Sequence, residues 1–120
     1  MNKPALESRK GAAACMKALR SAEKIASRPY TQDELFDMER HYEDYDATKA
    51  VFLHAAGPVS PHLQGFIEVM AEYVHFIMNT GEPHLHRWKP EACMSEVEVK
   101  EARRKLTQEV NSMLGDEEAP

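Results

Sequence analysis

Glycine is scarce in this chain of 120 residues: there are five, each isolated, so neither a phosphate-cradling P-loop nor a dinucleotide-binding turn can be built. Cysteine is scarcer. Cys15 and Cys93 lie too far apart for a local metal-ligand pair and are too few for a disulfide framework; they are expected as reduced, partly buried thiols in a cytoplasmic protein. Long apolar runs are missing as well, the longest unbroken stretches being 12–16 and 51–53, far short of the roughly 20 residues that span a bilayer. The N-terminal stretch carries early positive charge, but its Ala-rich patch is too short for a secretory core and Lys17 cuts it off. No GxSxG, nucleophile–base pattern or repeat is present, so a non-enzymatic role is expected, with no cofactor or metal.

The chain is ordinary in its bulk chemistry. Apolar residues make up 42% and charged residues 29%, which suits one soluble globular domain and leaves too little length for two independent cores. Period-two alternation is absent over any useful length, whereas 3–4 spacing recurs in four segments. The expectation is an all-α, four-helix bundle-like domain over 1–120, with helices at about 4–27, 31–56, 61–79 and 95–114, and an acidic tail at 116–120.

The punctuation supports those limits. Arg28-Pro29-Tyr30 breaks the first segment, and Thr31 with Glu34 forms a capping box for the second, which Gly57-Pro58 ends. Ser60-Pro61 is an N-cap with proline at the first helical position, and Gly81 is the stop. Ser95 with Glu98 repeats the capping box, and Gly115 is read as the last stop. The third segment is the most apolar: Leu63, Phe66, Ile67, Val69, Met70, Tyr73, Val74, Phe76, Ile77 and Met78 cover more than half its circumference. It must be central in the bundle or buried in an interface. A connection over 81–94 is long for a small domain and carries Trp88, the only tryptophan, beside Arg87.

Charge is segregated along the chain. Residues 1–30 carry a net +5, 31–49 a net −5, 50–94 a net −2 and 95–120 a net −3. The basic first helix can therefore pair within the chain, across a dimer or with an acidic partner. Nucleic acid is not favoured. The turn around Gly57-Pro58-Val59-Ser60 is similar to that of helix-turn-helix domains, but the helix after it has no Lys or Arg, and the basic helix lacks interleaved aromatics.

Two readings of function remain. The leading one is a small protein-binding module, an adaptor, regulator or inhibitor of another protein, which also forms a homodimer and touches no membrane. Its contact residues are expected to be Arg20 and Lys24 on the basic helix, Tyr42 and Tyr45 on the acidic one, and Arg87 and Trp88 in the loop, because Trp, Tyr and Arg dominate binding hot spots. The alternative is a divalent-metal-dependent hydrolase of a phosphate-containing small molecule. It uses Glu39 and Glu43 opposite Glu68 and Glu72, two i, i+4 carboxylate pairs. That layout resembles metal-dependent all-helical nucleotide pyrophosphohydrolases, although their paired ExxE and ExxD elements are not reproduced here. Minor metal candidates are His84 with His86, for zinc, and Glu72 with His75, half of a di-iron motif.

Overall fold

Helical segments and short turns account for all the regular structure in the computed structural model, which describes residues 3–118. The result is an all-α, bundle-like domain of four helices, α1 (Lys3–Ala26), α2 (Met38–Ala56), α3 (Pro61–Asn79) and α4 (Glu96–Glu118). α1 packs along α2 and α2 along α3, while α1 also reaches α3. The α1–α2 seam is made of small residues: Ala18 and Ala22, one turn apart, are each only 2% exposed, which lets the two backbones approach.

The second helix departs from the expected 31–56 in an informative way. The Thr31–Glu34 capping box does form, each side chain holding the other's backbone N–H at 3.2 and 3.1 Å. It closes on a single 3-10 turn, Glu34–Phe36, because Asp37 adopts an extended backbone and its carboxylate accepts from the Glu39 and Arg40 amides. Two competing caps six residues apart thus split one amphipathic pattern into a turn and a helix. Gly57 and Gly81, at φ of 76° and 95°, end α2 and α3 in the left-handed region that only glycine enters freely.

Gly115 does not stop the last helix, which continues to Glu118, so the expected acidic tail is largely helical; residues 119 and 120 lie outside the described residues. One interior glycine costs only about 1 kcal/mol, and no proline follows until the C-terminal residue to compete with the ladder.

The interior is more polar than composition implies. Asp44, Thr48 and Glu72 are the largest fully buried side chains, beside Ala18, Ala22, Ala71 and Tyr45. Asp44 knits the 27–37 connection to α2: it accepts from Arg28, from the Tyr30 hydroxyl, and from Arg40 Nη1 at 3.1 Å, and Arg40 Nε in turn reaches Glu34 at 2.9 Å. Removing the partners of such a buried carboxylate costs about 3–5 kcal/mol. Tyr30 is held neutral up to a pKa of about 12, first by burial and then by its bond to Asp44.

Apolar side chains lie outside to match. Leu63, Phe66, Met70 and Ile77 of α3 are 43–63% exposed, so α3 is not the wrapped central helix its composition allowed. The molecule measures 71 × 31 × 23 Å, with a radius of gyration of 17.2 Å against about 13.5 Å for a compact domain of this length. Its accessible surface of 8954 Å² exceeds the roughly 6,600 Å² of a compact monomer of this mass. Part of the excess is α4, which joins the other helices mainly through its N-terminal half. Both cysteines are free and exposed, not partly buried as expected, since neither Cys15 on α1 nor Cys93 in the loop faces the small interior.

Candidate functional site

α3 presents two unlike faces, and each defines a feature with functional potential. Toward the interior, Ala71 and Glu72 are completely buried and His75 is half-buried. The long connection closes over this side: its 3-10 turn Glu91–Cys93 lies against α3, and the Glu91 and Ala92 amides donate to the two Glu72 oxygens at 2.7 and 2.9 Å. The Tyr45 hydroxyl donates to the same carboxylate, and Lys49 Nζ stands 3.9 Å away. Burial pushes the Glu72 carboxyl above its ordinary range, against the pull of the two amides.

Next to this cluster is a cleft of about 450 Å³, lined by Tyr42, Tyr45, His75, Phe76, Trp88 and Arg103 among others. Trp88 sits edge-on to Phe76 at 5.4 Å and tilted against Tyr73 at 6.2 Å. The His75 ring meets Tyr45 edge-on at 5.0 Å, and burial holds its pKa below the ordinary imidazole value. Arg103, from α4, lies 4.4 Å over the Tyr42 ring. Its guanidinium forks onto Glu91 at 2.6 and 2.8 Å and onto Asp46 at 2.8 and 3.2 Å, which raises its already high pKa. One arginine therefore joins α4, α2 and the loop. Among the described residues, no buried side-chain nitrogen or oxygen lacks a hydrogen-bond partner. Ala102, Arg103 and Leu106 of α4 form one wall of the cleft.

On its other side α3 is uniformly apolar. Leu63, Phe66, Met70 and Ile77 fall within an arc of about 60° and extend over about 21 Å of helix. Phe66 is the most exposed of them at 63%, and half-buried Ile67, Tyr73 and Val74 flank the stripe. No charged residue interrupts it.

The six expected contact residues separate into groups. Arg20 and Lys24 are exposed on α1, as is Arg87 in the loop. Tyr42, Tyr45 and Trp88 converge in the cleft. Tyr45 is only 8% exposed and bonded to Glu72, so it offers no surface to a partner; its position one turn from Thr48 and Lys49 turns it into the helix seam. Trp88 is half-buried and closes the bundle end. Sequence reading left the α3 surplus as either core or interface and named none of its residues as contacts; the structure puts Leu63, Phe66, Met70 and Ile77 outside. It also missed Arg103, which nothing distinguished from its neighbours Arg104 and Lys105.

The four glutamates of the metal alternative do not converge. Glu39 and Glu43 are exposed, Glu68 accepts from Gln64 at 2.9 Å, and Glu72 is committed inside. Among the described residues no group of three or more His, Cys, Asp or Glu side chains is placed to hold a metal ion, which covers the His84–His86 and Glu72–His75 candidates too. No helix of the described residues is long and apolar enough to cross a membrane. No protein-family model matches this chain, and no curated protein or solved structure shows significant similarity to it.

Proposed function

We propose that this chain is a non-catalytic protein-binding module that self-associates through the outward face of α3 and acts as an adaptor, regulator or inhibitor. The observation that carries this reading is the inversion around α3: the interior holds Glu72, while Leu63, Phe66, Met70 and Ile77 stand in water. A continuous apolar face of this kind is the signature of an association surface. The occupant argued for is a second copy. A two-fold dimer sets the same four apolar residues of each chain against one another, which suits a face without charge. Two free, exposed thiols suit a reducing, cytoplasmic setting.

Size-exclusion chromatography with light scattering tests it. The wild-type chain is expected at about 27 kDa, and Phe66→Glu with Met70→Glu at the monomer mass with helical circular dichroism retained. A wild-type monomer at 100 µM, or an unshifted double variant, would refute the reading.

A further inference from the structure

The outer face of α1 carries a row of cations that the chain itself does not use. Arg9, Lys10, Lys17, Arg20 and Lys24 fall within an arc of about 100° and span about 22 Å of helix axis. Only Lys10 has an acidic neighbour, Glu7 at 3.4 Å, with both side chains largely in solvent. Among the described residues Arg9, Lys17, Arg20 and Lys24 take part in no ion pair or side-chain hydrogen bond, although α2 beside them is acidic. Two acids of α2 are taken elsewhere, Asp44 by Arg28, Tyr30 and Arg40, and Asp46 by Arg103, while Glu39 and Glu43 are exposed and form no ion pair among the described residues.

Along one edge of this row runs a groove of about 530 Å³ between α1 and α2, its walls formed by Ala14, Ala18, Ser21, Ala50 and Val51, with Lys17 on the lip. Small walls make room for a partner's apolar side chains, and the lysines stand where flanking carboxylates of that partner would lie. We infer that the α1–α2 groove, with Lys17 on its lip and Lys10, Arg20 and Lys24 in the cationic row beside it, docks an acidic amphipathic helix of a partner protein. The charge balance favours a short helix over an extended polyanion. Residues 31–120 carry a net −10, so a nucleic-acid duplex or an anionic membrane reaching beyond α1 meets repulsion, and no Phe, Tyr or Trp lines the groove, where His54 is the one ring. The inference rests on the reading of the chain as a protein-binding module, but not on its self-association.

The probe is a fluorescently labelled 20-residue helical peptide with Leu at i, i+3, i+4 and i+7 spacing and Glu on the remaining face, read by anisotropy. A Kd of about 1–10 µM is expected at 50 mM salt, rising steeply with salt. Lys17→Glu with Lys24→Glu, both at exposed positions, should weaken it at least about 10-fold. Ala50→Phe, which fills the groove without changing charge, should weaken it similarly. The Phe66→Glu, Met70→Glu variant should bind as wild type, which separates this site from the α3 face. No binding at 100 µM peptide, indifference to the lysine reversals, indifference to Ala50→Phe, or tighter binding of a 20-base-pair duplex or phosphatidylserine vesicles would each overturn the proposal.

Discussion

Arg103→Ala is expected to release α4 while leaving α1, α2 and α3 assembled. The arginine is 24% exposed and its Glu91 partner 15%, so their forked contact is mostly shielded and is worth about 1.5–3 kcal/mol. Asp46 is 55% exposed, which reduces its share to about 0–1 kcal/mol. The guanidinium over Tyr42 adds about 0.5–2 kcal/mol. These terms place the loss near 3 kcal/mol. Among the described residues α4 has one other ion pair to the body, the exposed Lys89–Glu98 contact, and modest apolar packing of Ala102 and Leu106 at the cleft, so little remains to hold it. An undocking equilibrium shifted by about 3 kcal/mol changes by a factor of about 10². Amide hydrogen exchange with mass spectrometry reads this directly: exchange over 96–110 should accelerate by about that factor, while the helices facing Asp44 and Glu72 keep their protection. Arg103→Lys should fall between, because an ammonium cannot fork onto two carboxylates. Unchanged exchange in α4, or an equal loss of protection in all four helices, would refute the reasoning.

Two further outcomes follow from the same geometry. Burial lowers the His75 pKa from 6.5, with His41 pushing the same way and Asp44 opposing, so the folded state binds fewer protons than the unfolded one as pH falls below 6.5. The stability His75 supports is complete above pH 6.5 and is lost on acidification through its folded pKa; urea midpoints at pH 7.5 and 5.5 should differ less for His75→Gln than for wild type. Millimolar Mg²⁺ or Mn²⁺ should leave the Tm unchanged, because the described carboxylates form no metal-holding group; a rise of several degrees by mass action would restore the hydrolase reading.

Much of the fold was legible before any coordinates, and the reason is local. Capping boxes at Thr31–Glu34 and Ser95–Glu98, the Ser60 cap and the Gly57 and Gly81 stops act within one turn of backbone, so residue identity alone determined that helices begin and end near those points. The errors were also local contests. Asp37 outcompeted the upstream box for the start of α2, and Gly115 was too weak a breaker to end α4.

Side-chain fate was another matter, since it depends on which faces meet. The apolar surplus of α3 was plain in the sequence, but whether it became core or surface was decided by Asp44, Tyr45, Thr48 and Glu72 occupying the interior in its place. Equally, the sequence by itself determined that 1–30 is basic and 31–49 acidic. Only the packing of α1 on α2 through Ala18 and Ala22 decided that Arg28 meets Asp44 while Arg9, Lys17, Arg20 and Lys24 of α1 stay unpaired among the described residues. The physical reason is range: caps and turns are set by neighbours in sequence, whereas burial and ion pairing are set by residues brought together across the fold, as Arg103 is to Asp46 and Glu91.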